Sequence, residues 1–99
     1  MTQSDPRLDA TWQALRMVID PELGVNIVRL GLVYDVVIED DIVHITHTLT
    51  TRGCPMEHVM RQGIGEAMDT VEGIAGMMTH LVWDPAWHPG MIEQDVFQT

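Results

Sequence analysis

Ninety-nine residues make a single domain over 1–99, able to bury roughly 60–70% of the surface its unfolded chain exposes, and one cysteine excludes an internal disulfide. Fifteen acidic residues against five basic ones, all arginine, give a formal charge of −10 at pH 7; this argues against nucleic acid or anionic lipid as a partner and rules out lysine Schiff-base chemistry. No basic stretch followed by an apolar run opens the chain and no stretch nears the length of a membrane span, so the expectation is a soluble, cytoplasmic protein with no membrane partner.

Residues 1–4 read as a loose terminus. Ser4 or Asp5, ahead of Pro6, suits an N-cap, and Leu8, Trp12, Leu15 and Ile19 line one face of a first helix running to about Val18. Asp20-Pro21 stops that helix, because a proline disfavours helical geometry in the residue before it. Gly24 and Gly31 then mark a long loop to Leu32 that mixes acidic groups with enough Leu, Ile and Val to pack down. Such a loop either carries function or is a structural Ω-loop, and both readings stand here.

Val33–Glu39 and Ile42–Thr50 form a hairpin across Asp40-Asp41, residues that tolerate left-handed backbone. That turn sets Glu39 opposite Ile42, Ile38 opposite Val43, Val36 opposite Ile45 and Tyr34 opposite His47. Tyr34, Val36, Ile38, Val43, Ile45 and Leu49 are then the core set. His47 sits among them as a packed residue bonded to Tyr34, while His44, Thr46, Asp35 and Glu39 face the other way.

Thr50-Thr51-Arg52-Gly53-Cys54-Pro55-Met56 joins this strand to an amphipathic helix in which Met56, Val59, Met60, Gly63, Ile64, Ala67, Met68 and Val71 recur at helical spacing. Cys54 falls at the N-cap and Pro55 at the first helical position. A thiol there faces free N–H groups and the positive end of the helix dipole, which favour thiolate. The position suits a nucleophile or a metal ligand, and equally a plain strand-to-helix junction. Gly53 is expected to hold the positive φ of the turn.

The helix ends near Val71, and a third strand follows from about Gly76 to Trp83, stopped by Asp84-Pro85. Strand, helix, strand implies a right-handed crossover that sets the third strand parallel to the second. The expected fold is α+β: one two-layer αββαβ domain, core about 8–95, with a small mixed three-stranded sheet and a short C-terminal helix or tail. Cys54 then lies near Asp84, Trp87 and His88, at the sheet edge where the Asp20–Leu32 loop also arrives. Sites in open α/β layers form outside the carboxyl ends of parallel strands.

Asp20, Glu22, Asp84 and His88 around Cys54 are therefore the candidate constellation, with Trp83 and Trp87 shielding it. There is no Cys-x-x-Cys or His-x-x-x-His pair for zinc. A cysteine nucleophile with His88 or His47 as base has no supporting signature, so an enzyme is the less favoured reading. An iron–sulfur cluster usually takes four protein ligands, mostly thiolates, and one chain with one cysteine cannot supply them. The rest would come from a second copy, a client protein or small thiols, which makes any bound cluster labile.

Four stretches, Asp-Pro-Glu-Leu-Gly-Val-Asn-Ile-Val at 20–28, Leu-Gly-Leu-Val-Tyr at 30–34, Thr-Leu-Thr-Thr-Arg-Gly-Cys-Pro-Met at 48–56 and Leu-Val-Trp-Asp-Pro-Ala-Trp at 81–87, resemble the metal–sulfur cluster biosynthetic family of SufT and PaaD proteins. The likeness covers about residues 8–95. It implies a small α+β domain acting in iron–sulfur cluster assembly or in maturation of cluster-containing proteins. It also implies Cys54 as the family's cysteine and Asp20 and Glu22 as its acidic pair. Taken with the ligand count, the expectation is a homodimeric accessory factor that carries iron or a cluster as a transient cargo through Cys54 and has iron–sulfur client or assembly proteins as partners. Three positions depart from the pattern: Arg29 where Asp is usual, Arg52 where Pro is common, and His47, an extra candidate ligand, where the family is apolar. The cysteine-rich segment of longer PaaD members has no counterpart here, which favours the SufT-like form. The alternative is a metal-free adaptor linking clients to assembly machinery, PaaD-like maturation of an oxygenase included.

Overall fold

The computed structural model describes residues 5–50, 52 and 54–93, with Cys54 and Pro55 described by their backbone. In chain order the elements are α1 (Arg7–Leu15), β1 (Val33–Glu39), β2 (Ile42–His47), α2 (Cys54–Met68), β3 (Gly76–Leu81) and a 3-10 turn over Pro89–Met91. The strands form one sheet in the order β1-β2-β3, antiparallel at the first pair and parallel at the second. This is the expected α+β arrangement. Residues 1–4, 51, 53 and 94–99, and with them the Ser4 cap, the turn at Gly53 and any helix over the last six residues, lie outside the described residues.

The hairpin turn is as expected. Asp40 and Asp41 adopt φ of 52° and 64°, the left-handed pair of a type I′ turn, and the register pairs Glu39 with Ile42, Ile38 with Val43 and Val36 with Ile45. The register breaks at one place. Val33, not Tyr34, lies opposite His47, and Tyr34 is the extra residue of a β-bulge between Val33 and Asp35. Tyr34 consequently does not bond His47. Its hydroxyl donates to the Pro85 carbonyl at 2.7 Å, a partner on the far side of the sheet edge.

Several element ends differ by a few residues. α1 stops at Leu15 rather than Val18, because the Val18 carbonyl accepts from the Ile27 N–H and the chain passes into a bridge between Ile19 and Asn26. Its N-cap is Pro6; Asp5 instead accepts from the Arg7 backbone N–H at 2.9 Å. β2 ends at His47, three residues short of Thr50, as the Thr48 N–H turns to the Leu32 carbonyl at 2.8 Å. α2 ends at Met68 and β3 at Leu81, and α2 begins at Cys54, which is therefore its first helical residue.

The core lies between the sheet and the two helices. Leu15, Ile27, Leu32, Val43, Ile45 and Ile64 are wholly buried, with Met60 and Met68 closing around them from α2. The Asp20–Leu32 loop is part of this core, since Ile27, Leu30 and Leu32 are as buried as any strand residue. At the opposite end from Cys54, the Arg7 guanidinium gathers Asp5 (2.6 Å), Asp41 (2.7 Å) and the Gly73 carbonyl (2.6 Å), tying α1 to the hairpin turn and to the α2–β3 connection.

Two loop glycines separate backbone strain from steric clash. Gly24 (φ +69°) has open space where a Cβ would sit, whereas a Cβ on Gly31 (φ +79°) would fall 2.5 Å from the Met91 carbonyl oxygen. Gly24→Ala should cost about 1 kcal/mol, the left-handed penalty alone. Gly31→Ala should cost at least about 2 kcal/mol more, as the clash forces the loop and the 3-10 turn apart. Urea unfolding of both variants checks the order; equal midpoints would refute it.

Candidate functional site

The carboxyl ends of β2 and β3 lie side by side, since His47 pairs with Leu81 and the Val82 N–H donates to the His47 carbonyl at 2.9 Å. The chain leaves β2 toward Thr50, Arg52 and the first turn of α2, and leaves β3 toward Trp83, Asp84 and Trp87. The two exits touch. The Arg52 guanidinium carbon sits 4.1 Å from the centre of the Trp83 ring, a cation–π contact worth about 0.5–1 kcal/mol at an exposed site. Cys54 is two residues further on, at the helix start.

The long loop reaches this same edge, as expected. The Glu22 carboxylate accepts from the Thr50 hydroxyl at 3.4 Å, and the Trp87 indole N–H donates to the Leu30 carbonyl at 2.6 Å. The Glu93 N–H adds a bond to the Arg29 carbonyl at 2.8 Å, and its carboxylate pairs with Arg16 at 3.2 Å. Arg29 thus belongs to the clasp that holds residues 87–93 to the loop.

The two acids of the first motif have different surroundings. Asp20 is fully buried; its Oδ1 accepts from the backbone N–H groups of Glu22 (2.7 Å) and Leu23 (3.1 Å), forming the tight turn, and its Oδ2 has no partner among the described residues. Glu22 is exposed and faces the β2 exit. Asp20 therefore shapes the loop, and Glu22 is the member of the pair that presents charge at the surface.

On the β3 side, the Tyr34 hydroxyl is the central bond to the turn at Asp84-Pro85. Burial pushes its pKa up and the nearby Asp84 carboxylate adds to the effect, against an opposing contribution from the Thr48 hydroxyl, so the phenol stays protonated and donates. His88 accepts the Gly90 N–H at its Nδ1 (3.1 Å) and caps the 3-10 turn. His47 is almost wholly buried, with its Nδ1 3.4 Å from the Thr48 carbonyl. Burial lowers its pKa, Arg61 adds to this, and the Thr48 carbonyl and Glu57 partly oppose it, so the ring is neutral at pH 7.

Among the described residues, no three His, Cys, Asp or Glu side chains form a group able to hold a metal ion. The closest pair of imidazoles, His44 and His80, lies on the open sheet face with ring planes 7° apart, ring centres 5.6 Å apart and nitrogens 3.3 Å apart. The difference between those distances is about twice the ring-centre-to-nitrogen distance, so the nitrogens point straight at each other. That is an N–H···N bond; two ligands of one tetrahedral ion would meet at a wide angle instead.

Among the described residues, no helix is long and apolar enough to cross a membrane. Residues 8–77 match the family model described as iron-sulfur cluster assembly protein. The chain is 45% identical over 75 residues to the Fe-S protein maturation auxiliary factor YitW of Bacillus subtilis (strain 168), covering 75% of this chain and 74% of the relative. It is 38% identical over 79 residues to the Fe-S protein maturation auxiliary factor SufT of Staphylococcus aureus (strain USA300), covering 79% and 90%. A crystal structure of a domain of unknown function, DUF59, from Bacillus anthracis is similar with a TM-score of 0.83 and 35% identity, covering 90% of this chain and 86% of that one.

A histidine with a lowered folded pKa binds its proton more weakly in the native state, so the unfolded state takes up more protons as pH falls. Stability should decline from about pH 6.5 downward, until the folded His47 itself protonates, at up to about 1.4 kcal/mol per pH unit for one proton. His47→Leu should flatten that part of the profile. Denaturant unfolding between pH 7.5 and 4.5 measures it, and parallel profiles for the two proteins would contradict the assignment.

Proposed function

The chain belongs to the iron–sulfur cluster assembly protein family and acts as an accessory factor in cluster assembly or in maturation of cluster-containing proteins; we propose that Cys54 is the ligand through which it handles its cargo. The observation that carries this reading is the placement of Cys54 as the first residue of α2, at the sheet edge where the β2 exit, the β3 exit and the Glu22 loop meet. Free N–H groups and the helix dipole at that position favour the thiolate that iron requires.

The donor set supports transient holding over storage. One cysteine is present, and the described residues add no three-ligand group beside it. A cluster needing four ligands would draw the others from outside: a second copy, a client or a small thiol. Exchange of those outer ligands is the step by which cargo could pass to an acceptor, with Cys54 holding one corner until the acceptor's thiolates replace it. A cluster shared between two chains would make a homodimer at this edge. The partners in this reading are client and assembly proteins of the iron–sulfur system.

Around the thiolate, each neighbour has a definable task. Arg52 on Trp83 ties the β2 exit to the β3 exit two residues ahead of Cys54 and brings one positive charge to an acidic chain. Trp87, Tyr34 and Glu93 hold the opposite wall in place through Leu30, Pro85 and Arg29.

Anaerobic reconstitution with iron and sulfide tests the ligand directly. Wild-type protein should give a visible chromophore and an eluted mass near twice the monomer, and Cys54→Ser should give neither. A colourless wild-type monomer would instead favour the adaptor, in which client binding persists without Cys54.

A further inference from the structure

We propose that the open groove between residues 17–21 and α2 docks a basic, amphipathic segment of a partner protein. The groove has a volume of about 470 Å³ and is lined by Met17, Ile19 and Pro21 on one side and Val59, Gly63 and Glu66 on the other. Three of its walls are among the most exposed large apolar side chains of the described residues: Met17 is 77% exposed, Ile19 52% and Val59 47%. Hydrophobic groups gathered this way on a small acidic domain mark an interaction surface more than an accident of packing. Gly63 keeps the floor low. A Cβ there would meet Val18 Cγ1 at 3.1 Å, so the Val18 side chain packs directly on the α2 backbone beneath the groove.

The dimensions fit one face of a short helix or strand. Lining residues run along α2 from Val59 to Ala67, about 12 Å at the helical rise, room for anchor side chains spaced one and two turns apart. Met17 brings an exposed, flexible thioether side chain that adapts to varied apolar anchors, as a factor serving several partners would need.

Charge selects the occupant. Glu66 is the one ionisable side chain among the lining residues, and the whole chain carries −10. A second copy would set Glu66 against Glu66 and add another ten negative charges. A segment with lysine or arginine flanking its apolar anchors is attracted by both the local and the overall field. Position matters as well. Val59 lies five residues after Cys54, about 7.5 Å along the helix axis, and Pro21 adjoins Glu22 at the candidate site. A segment in the groove would lie beside the cargo thiol. That the partner is an iron–sulfur client or assembly protein rests on the function proposed above; the groove's preference for a basic apolar segment does not.

The probes are two synthetic amphipathic helical peptides with identical apolar residues, one carrying lysine and the other glutamate at the polar positions. Titrated into the full chain, the lysine peptide should bind saturably, shift the NMR methyl signals of Met17 and Met60, and bind at least ten-fold tighter than the glutamate peptide. The exposed-site double variant Met17→Gln/Val59→Gln should keep its melting temperature within a few degrees and lose at least ten-fold in peptide affinity. Equal binding of the two peptides, or shifts confined to other methyl groups, would overturn the proposal. So would a concentration-dependent dimer in sedimentation that the double variant abolishes, since the groove would then belong to a second copy. Cys54→Ser should retain peptide binding while losing iron, and the double variant the reverse. Retention of iron by Cys54→Ser would sink the ligand assignment and leave the groove standing.

Discussion

Parallel strands cannot be joined by a tight turn, so β2 and β3, paired from Ile42 with Gly76 to His47 with Leu81, need a crossover that carries the chain back along the sheet. α2 is that crossover. Its start must lie where β2 ends, and β3 must end beside it. That the start of α2 and the β3 exit share one sheet edge, where Arg52 meets Trp83, therefore follows from strand direction before any side chain is considered. Ile64, Met60 and Met68 then fix the helix over the sheet by burial, with its first turn at the sheet edge.

The loop from Asp20 to Leu32 solves a second problem. A sheet of three strands with two short helices leaves part of its core face open, and Ile27, Leu30 and Leu32 fill that gap. Packing alone would leave the loop's own peptide groups without partners in the interior. The Asp20 carboxylate serves the turn at Glu22 and Leu23, while Trp87 and Thr48 serve the carbonyls of Leu30 and Leu32. The same bonds that satisfy the loop backbone attach it to the β2 and β3 exits. Stability of the core and shape of the site are thus one network, and the exposed Glu22 is positioned by a buried Asp20.

Much of this was legible in the sequence because it rested on patterns with few solutions. Asp40-Asp41 between two apolar runs fixed the hairpin and its register, and strand-helix-strand order fixed the parallel pairing. The departures have local causes. The bulge at Tyr34 leaves no mark in an alternating pattern until the far end of the strand, and it moved Tyr34 from His47 to Pro85. The early end of α1 reflects a tertiary bond from Ile27 to the Val18 carbonyl, which no propensity encodes. Asp20 and Glu22 read as an equivalent pair, yet burial separates them completely. The groove was hidden for a different reason: Ile19 and Val59 fit the periodicity of core positions and only their exposure distinguishes them, while Met17 falls off the apolar face of the first helix and had no partner to pack against in that pattern.

The division of α2 into a buried stripe and an exposed apolar one follows from its length and from the small size of the domain. A helix of fifteen residues laid over a three-stranded sheet buries one stripe, here Met60, Ile64 and Met68. A larger domain would cover the neighbouring stripe with another helix. In this chain α1 ends at Leu15 and covers it only in part, leaving Val59 and Gly63 open beside Met17. The helix that begins at Cys54 therefore also carries an apolar surface from Val59 onward. A partner held on that surface would be held at a fixed distance from Cys54, and under the proposed role of that cysteine ligand exchange would become an event within one complex, favoured by proximity rather than by a tight grip on the cargo.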